Sequence, residues 1–164
     1  VIHDPAHFPF LGNAVVTSGT FDGVHVGHQQ ILRRLREVAR LSGGPSVVIT
    51  YWPHPRLVLA PPLSHPEPRD LYLLNTLQER IEKLREAGVD YLLIVPFTKE
   101  FAAWTSEEYI QNILLRTVGT ATLVIGYDHR FGRNREGGFD YLSQHSGRYG
   151  MRVEEIPRED VDAV

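Results

Sequence analysis

Apolar residues in this chain alternate between two rhythms. Short apolar runs at Ala14-Val15-Val16, Ser46 to Tyr51, Tyr91 to Val95, Thr122 to Ile125 and Met151 to Ile156 read as strands, the third stopped by Pro96. Between the first two, Ile31, Leu32, Leu35, Val38 and Ala39 recur at helical spacing and predict a helix over Gln29 to Leu41. Thr76-Leu77-Gln78-Glu79 has capping-box spacing, so a second helix is expected to open there, run through Leu84 and end at Gly88. Ser106 to Leu115 and Phe139 to Tyr149 predict two more helices, the last closed by Gly150. Strand and helix in alternation, with short connections, predict an α/β fold built on a doubly wound parallel sheet. Ligands of such sheets bind at the carboxyl ends of the strands. One stretch breaks the rhythm. Trp52 to Asn75 is proline-rich and too long for an ordinary connection, so it reads either as a binding loop or as disorder.

Chemistry-bearing residues gather at the predicted strand ends. The first strand runs into Gly19-Thr20-Phe21-Asp22-Gly23-Val24-His25-Val26-Gly27-His28 and then into the first helix. A strand-to-helix turn presents unpaired backbone N–H groups and the positive end of a helix dipole, which suits a phosphate. Gly19, Gly23 and Gly27 allow close backbone approach, and the imidazoles of His25 and His28 can donate hydrogen bonds to it. The second strand runs into Trp52-Pro53-His54-Pro55, and the fourth into Gly126-Tyr127-Asp128-His129-Arg130-Phe131-Gly132-Arg133-Asn134-Arg135-Glu136-Gly137. Three loops therefore converge on one face by topology alone.

Composition narrows the class without naming it. At 164 residues the chain suits one domain with a sizeable core. A formal net charge of −3 at pH 7 provides no basic field for nucleic acid. No apolar stretch approaches transmembrane length and no signal segment opens the chain, so no membrane partner is expected. The absence of cysteine excludes disulfides and thiolate metal sites and fits a cytoplasmic enzyme. The chain opens on Val1 and ends in polar, charged residues, and is expected to be a piece of a longer protein.

His25-Val26-Gly27-His28 resembles the H-x-G-H signature of the nucleotidyltransferase superfamily, and Gly19 to His25 resembles the FMN adenylyltransferase module of prokaryotic FAD synthetases. Thr50-Tyr51-Trp52-Pro53-His54-Pro55-Arg56 is similar to the P-H-P segment of those enzymes, and Gly126 to Gly137 to their G-x-D/N-F-x-F-G-x-x-R-x-G segment. Thr76 to Leu84 and Pro96 to Ala102 match as well, so the resemblance spans nearly the whole chain. It implies a Rossmann-like nucleotidyltransferase fold and conversion of ATP and FMN into FAD and pyrophosphate. Gly19, Thr20, Phe21, Asp22, Gly23, His25, Gly27 and His28 would bind ATP, with His25 and His28 as the catalytic pair. Pro53, His54, Pro55, Leu59, Asp128 and Phe131 would bind the flavin, with Asp128 on the polar edge of the ring. Mg²⁺ would arrive with ATP, held mainly by substrate oxygens, and no protein metal ligands are assigned.

The match has departures. His129 stands where the family usually has an aromatic residue, and Trp52 replaces an acidic residue common before P-H-P. The I-S-S-T-x-x-R motif, whose side chains would bind the ATP phosphates, is absent up to Val164. It is expected to lie beyond Val164, followed by a riboflavin kinase domain. Two other readings stay open. A cytidylyltransferase or phosphopantetheine adenylyltransferase would share His25 to His28 without needing the other two motifs. A non-catalytic flavin- or nucleotide-binding module would follow if the phosphate motif were lost.

Overall fold

The computed structural model describes residues 2–19, 26–52, 68–126 and 139–156. Its centre is a six-stranded sheet of β1 (Ile2–His3), β2 (Ala14–Ser18), β3 (Ser46–Trp52), β4 (Tyr91–Pro96), β5 (Thr120–Gly126) and β6 (Arg152–Ile156). The spatial order is β1-β4-β3-β2-β5-β6, and every neighbouring pair is parallel. The strands expected from the apolar runs are β2 to β6. The two-residue β1 on the edge is too short to leave a periodic signal.

Alternation along the strands feeds two separate cores, as a parallel sheet covered on both faces requires. Val15, Val48, Leu92 and Val124 face α1 (Val26–Ser42) and α2 (Pro68–Glu86), meeting Leu32, Leu35, Ile81 and Leu84. Val16, Val47, Ile49, Leu93, Leu123 and Ile125 face the other way. There they pack on α4 (Ser106–Tyr109) with its continuation Ile110–Val118, and on α5 (Phe139–Tyr149). A single turn, α3 (Lys99–Ala102), precedes α4. No helix among the described residues is long and apolar enough to cross a membrane.

The second and third predicted helices depart from the sequence expectation in start and in winding. The second opens at Pro68 and not at Thr76, so the irregular stretch ends eight residues earlier than Asn75. Proline is well placed at a first helical position, where its missing N–H has no partner to lose and its φ is already helical. The capping-box spacing at Thr76 to Glu79 therefore lies inside a helix that is already running. The third predicted helix has a genuine capping box, Thr105 with Glu108, but winds as a π-helix from Ile110 to Val118. Gly119 N–H reaches back to the Leu114 carbonyl at 3.1 Å, and Thr117 Oγ1 to the Asn112 carbonyl at 2.8 Å. Burial explains the winding. Tyr109, Leu114 and Val118 are all buried on one face, yet at 3.6 residues per turn Tyr109 and Val118 would point in opposite directions.

Candidate functional site

The order of strands makes the site. From central β2 the chain steps outward to β3 and β4, then returns to the other side of β2 for β5 and β6. The reversal falls between β2 and β5, and ligands of open α/β sheets bind in the crevice at such a switch point. Because β3 and β5 flank β2, the three strands that run into the sequence motifs end side by side. Gly19 leaves β2 with its N–H on the Ile49 carbonyl at 3.0 Å. Beyond Trp52, whose carbonyl accepts from Phe97 N–H at 3.0 Å, the chain enters Pro53.

Helix α1 begins at Val26, three residues before the expected start at Gln29. Gly27 and His28 are thus in its first turn, where backbone N–H groups have no partner within the helix and the dipole is positive. Glycine's poor helix propensity hid this start in the sequence. Thr20, Phe21, Asp22, Gly23 and His25 lie outside the described residues, as do Pro53, His54, Pro55, Leu59, Asp128 and Phe131.

The described residues near this edge include a buried hydrogen-bonded group that sequence reasoning did not single out. The Tyr51 and Tyr109 hydroxyls lie 2.9 Å apart, and Ser18 at the end of β2 hydrogen-bonds to both phenols. Burial pushes the Tyr51 phenol well above its ordinary value and raises that of Tyr109, so both stay protonated. Phe97 and Phe101 pack against Tyr51 with ring centroids at 6.0 and 5.7 Å. On the opposite face of β3, Arg80 of α2 is 2% exposed and donates from Nη1 to Thr50 Oγ1 at 3.1 Å and to the Tyr51 carbonyl at 3.2 Å. A signal for Arg80 existed. It sits between Leu77, Ile81 and Leu84 on the apolar stripe of its helix, where a cation is out of place unless the fold holds it. Among the described residues no cluster of three His, Cys, Asp or Glu is placed to hold a metal ion.

Residues 8–164 match the family model of FAD synthetase. This chain belongs to the FAD synthetase family. It is 36% identical over 152 residues to the bifunctional riboflavin kinase/FMN adenylyltransferase of Escherichia coli (strain K12), covering 93% of this chain and 46% of that protein. The Pseudomonas fluorescens protein of the same name is 35% identical over 157 residues, covering 92% of this chain and 46% of the relative. The chain thus spans just under half the length of these curated relatives. A crystal structure described as a macrolide-efflux protein from Streptococcus pneumoniae superposes with a TM-score of 0.75 at 26% identity, over 96% of this chain and 51% of that one. As a member of this family, the chain has the three strands that run into the sequence motifs, β2, β3 and β5, as neighbours in an all-parallel sheet.

Proposed function

We propose that this chain transfers the AMP moiety of ATP to FMN, giving FAD and pyrophosphate. One observation carries the reading. The strands that run into the glycine–histidine motif, the P-H-P motif and the Gly126 to Gly137 motif are β2, β3 and β5, and they are neighbours in the sheet. Two polyanions must meet for this reaction, and strand ends that lie together bring their binding loops together.

An FMN phosphate oxygen attacks the α-phosphorus of ATP in line. The new P–O bond forms as the bond to the bridging α–β oxygen breaks, and the electron pair leaves with pyrophosphate. The attacking phosphate is already ionised at neutral pH, so no side chain has to remove a proton. Catalysis then consists of positioning and of stabilising charge on the transferred group. His25 and His28 donate hydrogen bonds to phosphate oxygens, and the first-turn N–H groups of α1 add theirs. Gly19, Thr20, Phe21, Asp22, Gly23 and Gly27 complete the ATP side. Pro53, His54, Pro55, Leu59 and Phe131 form the flavin side, where Asp128 accepts from the ring N3–H. ATP enters as its Mg²⁺ complex, with the cation held mainly by substrate oxygens, which needs no cage of protein ligands. The riboflavin kinase activity in the relatives' names belongs to those longer proteins.

The test is product formation. The protein incubated with MgATP and FMN is expected to produce FAD, whereas CTP as donor, or phosphopantetheine as acceptor, should give no product. Phosphopantetheine adenylylation without FAD would reassign the chain within the superfamily. The flavin side has its own check. Asp128→Ala leaves the N3–H of a bound ring without its acceptor, which costs about 1–3 kcal/mol. FMN and FAD affinity should fall by that amount while ATP affinity stays nearly constant, as read by titrating each ligand separately. An equal loss for both ligands, or a loss for ATP alone, moves Asp128 out of the flavin pocket.

A further inference from the structure

We infer that Arg80 is a positioning residue for the flavin-side loop, holding the carboxyl end of β3 at the angle from which Pro53-His54-Pro55 departs. The inference rests on the proposed adenylyl transfer to FMN and adds to it a residue outside the three motifs.

The geometry begins with where the sheet ends. Among the described residues, the last ladder bond from β2 to β3 is Gly19 N–H to the Ile49 carbonyl, at 3.0 Å. Carbonyls along a strand alternate between its two neighbours, so the next one aimed towards β2 belongs to Tyr51. The Tyr51 carbonyl accepts from Arg80 Nη1 at 3.2 Å, and the same Nη1 reaches Thr50 Oγ1 at 3.1 Å. Thr50 is fully buried and Arg80 is 2% exposed, so this contact is closed to water. A charged donor on neutral acceptors in such surroundings makes a strong, directional bond.

The position of this bond gives it leverage. Proline fixes its own φ and confines the residue before it to extended backbone. Trp52 precedes Pro53, and Pro55 follows two residues later, so the backbone freedom between the strand end and the P-H-P motif is restricted by sequence. The β2 exit does not share this dependence, because Gly19 is anchored on Ile49 directly. Arg80 therefore acts on the flavin side in preference to the ATP side. Its burial also explains why a cation is kept on the apolar stripe of α2: an apolar side chain would fill the volume but leave the Tyr51 carbonyl without this donor.

Steady-state kinetics and FMN titration of the wild type, Arg80→Met, Arg80→Lys and Thr50→Val test this, with thermal unfolding recorded for each. Arg80→Met should raise the KM and Kd for FMN about tenfold or more while the KM for MgATP moves less than about twofold. Arg80→Lys keeps a charged donor and should bring both FMN constants back to within about threefold of wild type. Thr50→Val removes the hydroxyl that accepts from Arg80, keeps the Arg80 bond to the Tyr51 carbonyl, and should shift FMN in the same direction by a smaller factor. A purely structural Arg80 would lower the unfolding midpoint and move both substrates alike. That result overturns the inference, as does an unchanged Kd for FMN in folded Arg80→Met. Should Arg80→Met fail to fold, Thr50→Val and Arg80→Lys decide, and unchanged FMN constants in Thr50→Val count against it. A wild type that binds FMN but forms no FAD refutes adenylyl transfer, and the FMN titrations still judge Arg80.

Discussion

Replacing His28 with alanine lowers the rate of adenylyl transfer by roughly 10²–10³-fold, the usual cost of losing one preorganised donor to a developing oxyanion. Flavin affinity in the same variant stays close to wild type. The asymmetry follows from the sheet. His28 is in the first turn of α1, which leads away from β2, whereas the proposed flavin contacts come from the loops after β3 and β5. In that first turn the backbone N–H groups have no partner inside the helix. On the proposed assignment, removing the imidazole weakens charge stabilisation on the ATP side and leaves the flavin contacts in place. Turnover with MgATP and FMN gives the first half of the result and FMN titration the second. Near-normal turnover, or a matching loss of flavin binding, would take His28 out of its assigned role.

Leu35→Ala should have the largest effect on stability, about 2–5 kcal/mol by denaturant unfolding. Leu35 is fully buried at the contact of α1 with the sheet, in the cluster that holds Val15, Val48 and Val124. Truncating it loses the transfer energy of three carbons and leaves a void that a parallel sheet with cover on both faces cannot easily close. Leu41, six residues along the same helix, is 69% exposed, and Leu41→Ala should change stability by less than about 0.5 kcal/mol. The pair is its own control, since both remove the same atoms from one helix. Equal effects would mean that α1 does not present the face described here. Because α1 also carries part of the proposed phosphate-binding turn, Leu35→Ala should reduce ATP affinity as the folded population falls.

The architecture was legible in the sequence wherever burial imposed a period. Val47-Val48-Ile49 and Leu123-Val124-Ile125 are covered on both faces, so they read as unbroken apolar runs. The stripe Leu32, Leu35 and Ala39 marked α1 because it has a single buried face. Boundaries were harder. Gly27 concealed the true start of α1, and the Thr76 to Glu79 spacing imitated a cap within α2. The π-winding of Ile110–Val118 had no local cue, being set by which residues the sheet buries. The candidate site divides in the same way. The motif residues declared themselves because they are contiguous and follow strands. Arg80 with Thr50, and Tyr51 with Tyr109, did not, because each pair joins residues 30 and 58 positions apart on different elements. No window along the chain contains both partners.

The central claim is that the ends of β2, β3 and β5 form one site for adenylyl transfer to FMN, and the fate of the α-phosphate tests it most directly. The protein is incubated with FMN and Mg²⁺ and with ATP labelled at the α-phosphate, and the label is followed into product alongside pyrophosphate release. The label should appear in FAD, one for each pyrophosphate released. Label remaining in free AMP or ADP, or transfer of the γ-phosphate in its place, would contradict the account.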